Sequence, residues 1–232
     1  MEGLFIKYIS ESYYTNALAV LVAFCVCIYI TRYPNKEVDI FKYYLSFYII
    51  GQVIHFYCST ICTSASSEER ASFYSKATEC LFTTVEFLIF HRYYRTLLAT
   101  PRFEKCIIWT RIAYLILTVG VIASDTIRNS TITTLSLQRI FVFQAIALIL
   151  LSSMYFINVF RSPPQNIINV PAFWISTGLY VCMLPILPFT LFLKDIMAAF
   201  PDLYWNFFTI TYVVYIVLFL MILKAHSCKT IQ

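Results

Sequence analysis

The sequence predicts an all-α polytopic membrane protein, a bundle of seven transmembrane helices that forms a single domain over residues 1–232. Hydrophobic residues make up 60% of the chain and charged residues 12%, whereas a soluble domain carries about 25% charged residues. The 21 Phe and 18 Tyr suit a chain that crosses two membrane interfaces, where amphipathic rings are enriched. This composition excludes both an ordinary soluble protein and a disordered chain.

The first four spans are apolar runs of about 20 residues, the length that crosses the hydrocarbon core of a bilayer. The first is expected near 15–32, ended by the break TRYPNKEVD, and the second near 41–61, ended by the break TSASSEERASFYSK. The third is expected near 78–98, ended by ATPRFEK, and the fourth near 106–124, ended by SDTIRNSTITTLSLQ. Each break is polar or contains proline, which favours a loop at a membrane surface.

The last three spans follow the same pattern. The fifth is expected near 138–160 and ends at RSPPQNIINVP, the sixth near 172–193, and the seventh near 203–224 after LKDIMAAFPD. The sixth span contains Pro185 and Pro188, each of which removes a backbone donor, so we expect a kink in that helix. A kinked helix frees carbonyl groups that can line a cavity.

The distribution of basic residues predicts that the N-terminus lies outside and the C-terminus inside. In this orientation eleven of the 17 Lys and Arg residues fall on the inner side and the other six on the outer side. Glu2 and Glu11 precede the first span, whereas a cleavable signal peptide begins with a basic region, so we expect a retained anchor. The net charge of +5 is explained by this topology and by anionic inner-leaflet lipids, without nucleic acid as a partner.

Glu86 is the most informative single residue, because it lies inside the third span, about 12 Å deep at 1.5 Å per residue. A carboxylate that faced lipid there would be costly, so it should face the interior of the bundle. Glu79, Thr83 and Glu86 share one face of this helix at helical spacing. We expect Glu86 either to contact a ligand or proton from the outer side, or to make a buried hydrogen bond between helices.

Further polar residues fall in the outer half of other spans, and a water-accessible cavity shared by several helices would explain them. The candidates to bind a small molecule or lipid, together with Glu86, are Gln52, His55, Arg139, Gln144 and Tyr212. Arg139 is the expected cationic partner of Glu86 or of an acidic ligand. The alternative is that these side chains only join helices by hydrogen bonds and that Arg139 reaches the membrane interface.

Basic residues near the inner ends of the third, fourth and fifth spans form a candidate surface for a cytosolic partner or for lipid phosphates. They are Arg92, Arg95, Arg102, Lys105 and Arg161. Anchoring of helices at the headgroups explains them equally well.

The sequence carries few signs of catalysis. It lacks HExxH, GxSxG and nucleotide-binding glycine motifs, and no His or Cys cluster has the spacing of metal ligands, so we expect neither an enzyme nor a cofactor. Cys58, Cys62 and Cys80 lie near the outer ends of the second and third spans, where one pair would form a disulfide if the compartment is oxidising.

The segments TVEFLIFHRYYRTLLATPRFEK, YFINVFRSPP and NVPAFWISTGLYVCML resemble a family of small seven-helix membrane proteins from Bacteroidota. The matching positions are Glu86–Phe87 in the third helix, Phe173–Trp174 at the start of the sixth, and Gly178. The resemblance covers roughly residues 75–195. It implies a sensor or accessory protein that acts beside signal-transduction proteins such as histidine kinases, in the inner membrane of a bacterium.

These observations lead to three hypotheses of function. The first is a receptor-like sensor that binds a small ligand or lipid in the outer half and passes the change to a cytosolic or membrane partner. The second is a small-solute transporter or channel, whose cavity would also open to the inner side. The third is a structural or assembly subunit, for which the polar residues only join helices and Glu86→Gln would have no effect.

Overall fold

The computed structural model describes residues 2–61, 65–98, 101–129, 133–161 and 166–228, and it is all-helical over these ranges. The helices are α1 (Glu2–Arg32), α2 (Ile40–Ile61), α3 (Ala65–Leu97), α4 (Pro101–Asn129), α5 (Thr134–Arg161), α6 (Pro171–Leu191), α7 (Leu193–Ala199) and α8 (Pro201–Ser227). A single 3₁₀ turn, Ile167–Asn169, precedes α6. The prolines at the starts of α4, α6 and α8 suit a first helical turn, where the missing N–H has no intrahelical acceptor.

Each predicted span lies within or closely overlaps one of the seven long helices, but three predictions of loops are wrong. Most of the predicted break 124–138 is helical, because α4 continues to Asn129 and α5 begins at Thr134. α3 begins at Ala65, whereas the sequence predicted a break up to residue 77. The short helix α7 occupies the expected break between the last two spans.

Five helices in the described ranges are long and apolar enough to cross a membrane, which indicates a multi-pass membrane protein. Their apolar segments are Tyr13–Arg32, Phe103–Arg128, Thr134–Arg161, Pro171–Leu191 and Thr209–Ser227. Crossing by all seven long helices, and the orientation of the chain, stay predictions. Following that orientation, we call the end of the bundle at which α1 begins the outer end and the opposite end the inner end.

Six helices form a closed ring in the order α1, α2, α3, α5, α6 and α8, with α8 packed against α1. α4 packs outside this ring against α3 and α5, and only 17% of its membrane-length segment is buried, against 44% for that of α5. α4 therefore contributes little to the interior of the bundle, which the other six long helices provide.

Aromatic side chains fill much of the interior between α2, α3 and α8. The ring centroids of Tyr44 and Phe90 lie 5.3 Å apart, and those of Tyr48 and Phe219 lie 4.9 Å apart, both in edge-on geometry. Such aromatic pairs each contribute about 0.5–1.5 kcal/mol beyond the burial of their surface.

Three hydrogen bonds between residues distant in sequence tie the inner ends of the helices together. Asn35 Nδ2 donates to the carbonyl of His226 at 3.3 Å, and His91 Nε2 lies 2.8 Å from the carbonyl of Ile107. The Cys228 thiol donates to the carbonyl of Ile168 at 3.6 Å. The turn after α1, the start of α4 and the turn before α6 are thus fixed to neighbouring helices at one end of the molecule.

α6 is held most closely against α8 at Gly178. A Cβ atom at this position would lie 2.9 Å from Met221 Cβ, so only glycine permits the observed approach. Pro185 and Pro188 lie farther toward the outer end of α6, where they interrupt its backbone hydrogen bonding. α6 is therefore pinned in its inner half, and its outer half is less constrained by its own backbone.

Candidate functional site

The outer half of the ring encloses a cavity of about 250 Å³ between α2, α3, α5, α6 and α8, which we call the outer cavity. On α5 its lining runs from the exposed Thr134, at the outer end of that helix, to Ala145. This distance corresponds to about 16 Å along the helix axis at 1.5 Å per residue. The outer cavity therefore extends from the outer surface of the bundle to near its middle.

Gln144, Met183 and Tyr215 form the innermost part of the lining, and Glu86 lies directly behind two of them. Glu86 is fully buried and does not itself line the cavity. It sits three helical turns from the end of α3 at Leu97, about 16 Å along the axis.

Three side chains from three different helices surround the Glu86 carboxylate. The Tyr44 hydroxyl on α2 donates to Oε1 at 2.9 Å, and the Gln144 amide on α5 donates to Oε2. The Tyr215 hydroxyl on α8 donates to Oε2 through a longer bond of 3.4 Å. The carboxylate therefore joins four helices of the ring at one point.

The Glu86 cluster consists of buried hydrogen bonds from three donors to one carboxylate. A carboxylate only accepts hydrogen bonds, and all three neighbours are donors, so each donor is satisfied by one acidic group. Loss of the carboxylate would leave three buried donors without their acceptor, at about 1–3 kcal/mol each. Because Gln144 and Tyr215 line the outer cavity, their hydrogen bonds to Glu86 also fix the positions of two lining side chains.

A contact between a histidine on α2 and a carboxyl group on α3 forms part of the cavity wall closer to the outer end. His55 Nδ1 lies 3.6 Å from Glu79 Oε1, and the two side chains are 37% and 38% exposed. Both residues line the cavity. A pair that is this accessible to solvent contributes little to stability, but its carboxylate is within reach of a molecule in the cavity.

Two buried polar atoms of the cavity lining have no hydrogen-bond partner in the structure: the Tyr48 hydroxyl oxygen and Gln52 Oε1. Tyr48 is 1% exposed. A buried polar group without a partner costs about 1–3 kcal/mol. A ligand in the cavity that forms hydrogen bonds with these atoms would remove this cost.

Of the predicted ligand-binding residues, Gln52, His55, Gln144 and Tyr212 line the outer cavity. Glu86 lies one layer deeper, as described above. The expected pairing of Arg139 with Glu86 is wrong: Arg139 is exposed and outside the cavity lining, and Glu86 is bonded to neutral side chains.

Sequence reasoning missed Tyr44, which donates a hydrogen bond to Glu86, and Tyr48, whose hydroxyl has no partner in the structure. A signal for both was present, because Tyr44, Tyr48 and Gln52 recur every fourth residue and therefore share one face of α2. The high content of tyrosine in the chain hid this spacing.

The inner half of the ring contains a second polar cluster, in which hydroxyl groups bond to one another. The Tyr94 hydroxyl on α3 lies 2.9 Å from Ser152 Oγ on α5 and 2.8 Å from Ser176 Oγ on α6, and all three residues are buried. Tyr180 on α6 is hydrogen-bonded to Ser153 on α5 nearby. These contacts close the space between α3, α5 and α6 below the Glu86 cluster.

The predicted inner basic surface is exposed at Arg92, Arg95, Lys105 and Arg161, while the side chain of Arg102 lies outside the described residues. A separate shallow groove at the inner end is bordered by Arg32, Lys36 and His226. In the same region, Lys224 lies over the ring of Trp174 at 5.7 Å, which connects α8 with the start of α6.

Cys80 carries a free, buried thiol, so it does not take part in the predicted disulfide, and the side chains of Cys58 and Cys62 lie outside the described residues. Within the described ranges, His, Cys, Asp and Glu side chains form no group of three or more that could hold a metal ion.

Comparison of the chain with protein-family models, with curated proteins and with solved structures finds no match. The outer cavity, the Glu86 cluster and the closed inner half are therefore the features that bear on function.

Proposed function

We propose that the protein is a receptor-like membrane sensor that binds a small ligand in the outer cavity and passes the resulting change to a partner at its inner surface. The observation that carries this proposal is the cavity itself. Its volume is about 250 Å³. Its lining is mostly apolar with a few convergent polar groups, the usual composition of a small-molecule site.

α6 and α8 are the elements that can carry a change from the cavity to the inner end. Met183, Ile186 and Thr190 of α6 line the cavity beside Pro185 and Pro188, where the helix lacks part of its backbone hydrogen bonding. Gly178 then couples the inner half of α6 to Met221 of α8. A ligand that favours one position of the outer part of α6 would shift this packed pair, provided that its affinity differs between the two positions.

The closed inner half favours a sensor over a small-solute transporter or channel. A transporter needs an inner route from the cavity, and the cluster of Tyr94, Ser152 and Ser176 fills the space between three of the helices that would have to form it. The third hypothesis, a structural subunit, gives no use to the outer cavity that Tyr48 and Gln52 line.

The proposed partner is a cytosolic or membrane signalling protein that contacts the inner basic surface, with the N-terminus of the sensor outside. The resemblance to the Bacteroidota family supports a bacterial inner membrane and a place beside signalling proteins. The proposal requires no cofactor, metal or catalytic residue.

The proposal is tested by thermal unfolding of the protein in lipid nanodiscs against a set of small, mainly apolar molecules, each with one polar group. Ala145→Leu narrows the cavity, because Ala145 is 2% exposed and lines it. Ala113→Leu, on the exposed face of α4, is the matched control.

We expect some of these molecules to raise the unfolding temperature of the wild type and of Ala113→Leu but not that of Ala145→Leu. A fluorophore at Ser227→Cys, exposed at the inner end of α8, should respond to the same molecules. Shifts that persist equally in Ala145→Leu would contradict a ligand site in the cavity, and the absence of any shift would favour the structural subunit. Flux of a binding molecule into sealed vesicles would favour the transporter.

A further inference from the structure

The charges that border the outer cavity are acidic. Glu79 is the acidic residue of the lining, its side chain is accessible, and the buried Glu86 lies behind Gln144. Within the described lining the one basic side chain is His55, which faces Glu79, and neither Lys nor Arg is present there. An anionic ligand would meet two carboxyl groups there; His55 is the basic group of the described lining, and Lys76, one turn before Glu79 on α3, is a basic residue close enough to act on Glu79 electrostatically.

The unpartnered polar atoms of the lining indicate what such a ligand must offer. Gln52 Oε1 is solely an acceptor, and the Tyr48 hydroxyl can accept as well as donate. Tyr48 is a buried residue that lines the cavity, and its hydroxyl has no partner in the structure, so we infer that a partner would be supplied from the cavity and not from bulk solvent. A ligand that carries N–H or O–H donors completes both groups.

Aromatic rings make up a large part of the same lining. They come from four helices and are Tyr48, Phe82, Phe141, Phe207, Tyr212 and Tyr215. The face of an aromatic ring attracts a cation, by about 0.5–2 kcal/mol depending on how far water is excluded. Aromatic faces beside a carboxylate are the combination that recognises alkylammonium groups.

We propose that the outer cavity selects a small organic cation, an apolar molecule with a protonated amine that bonds to Glu79 and Gln52 while its apolar part contacts the aromatic rings. This inference rests on the proposed function, because it names the chemical class of the ligand for the same site. Glu79 and Gln52 lie on neighbouring helices, and the contact of Glu79 with His55, one turn beyond Gln52, places all three on one wall.

The proposal is tested with three probes that share one apolar part and differ in charge: 2-phenylethylamine, 2-phenylethanol and 3-phenylpropanoate. Their binding to the full-length protein in nanodiscs is measured by calorimetry and by the shift in unfolding temperature. We expect the amine to bind at least ten times more tightly than the alcohol, and the carboxylate to bind more weakly than either.

Two variants locate the recognition of the charge. Glu79→Gln should reduce the affinity for the amine at least tenfold and leave that for the alcohol unchanged, whereas Glu104→Gln, on the exposed start of α4, should change neither. Gln52→Leu removes the unpartnered acceptor and should also weaken binding of the amine, which gives a second test if Glu79→Gln does not fold.

The outcomes separate this inference from the function on which it rests. If the alcohol or the carboxylate binds as tightly as the amine, the cavity does not select a cation, although it still binds a ligand. The same conclusion follows if the affinity for the amine is unchanged in both variants. If none of the three probes binds to the wild type at millimolar concentration, both proposals fail.

Discussion

The outer and inner halves of the helix ring both contain buried polar residues but use them differently. In the inner half, Tyr94 on α3 meets serine hydroxyls of α5 and α6 at 2.9 and 2.8 Å, so these groups satisfy one another. In the outer half, the lining residues Tyr48 and Gln52 carry buried atoms without a partner beside a cavity. The difference teaches that an unpartnered polar atom indicates function where its residue lines a cavity, since the unpartnered Tyr155 hydroxyl and His226 Nε2 of the inner half belong to residues outside the outer cavity.

The largest effect is expected at Glu86, which lies at the boundary between the two halves. Glu86→Leu would leave the donors of Tyr44, Gln144 and Tyr215 without their acceptor, so we expect the free energy of unfolding to fall by about 3 kcal/mol or more. Unfolding in mixed micelles measures this loss. Glu104→Leu, at an exposed site, is the control and should cost much less. A loss at Glu86 no greater than at Glu104 would mean that the cluster does not join the four helices.

Gly178 tests the close packing of the inner half. Gly178→Ala places a Cβ atom 2.9 Å from Met221 Cβ, so α6 and α8 must separate, and we expect a loss of about 1–3 kcal/mol. Gly120→Ala is the matched control, because a Cβ there has no neighbour within 4 Å. Alanine forms helices better than glycine, so this change should be neutral or stabilising by up to about 1 kcal/mol. Equal effects of the two substitutions would contradict a tight contact between α6 and α8.

A pair of tyrosine variants compares the two halves directly. Tyr94→Phe should lower the free energy of unfolding by about 1–2 kcal/mol, since it removes the partner of Ser152 and Ser176. Tyr48→Phe should leave stability unchanged or raise it, because its hydroxyl has no partner to lose. The same unfolding assay measures both, and a larger loss at Tyr48 than at Tyr94 would reverse the assignment of the two halves.

The smallest effect on stability is expected when the cavity is filled. Ala145→Leu adds apolar atoms where the structure has space, so we expect a gain of up to about 1 kcal/mol. Ala225→Leu adds the same atoms in the inner half, where Ala225 is fully buried, and should cost about 1–3 kcal/mol through overpacking. Equal losses for the two variants would show that the outer half is packed as tightly as the inner half.

Much of the fold could be predicted from hydropathy, because five of the long helices in the described ranges contain an apolar run of membrane-spanning length. The polar start of α3, from Ala65, could not, since a helix that continues beyond a membrane surface and a polar loop are both poor in apolar residues. The short helix α7 was missed because its seven residues are too few to show a helical hydrophobic pattern.

Site residues could be predicted where a polar residue interrupts an apolar run, as Gln52, His55 and Gln144 do. The prediction of Arg139 failed, because the position of a residue around the helix axis decides whether it faces the cavity. Arg139 precedes Gln144 by five residues, which places it about 140° around α5 from the cavity at 3.6 residues per turn. That rotation explains why Arg139 is exposed while Gln144 is buried against Glu86.

The central claim, that the outer half is accessible and the inner half closed, is tested most directly by the labelling of introduced cysteines. Gln52→Cys in the cavity and Ser152→Cys in the inner cluster are each placed in a background in which the eight native cysteines are replaced. Sealed vesicles are treated with a membrane-impermeant cationic thiol reagent on the side of the N-terminus. The structure predicts rapid labelling at position 52 and none at position 152. Equally fast labelling at both positions, or labelling at neither position, would contradict it.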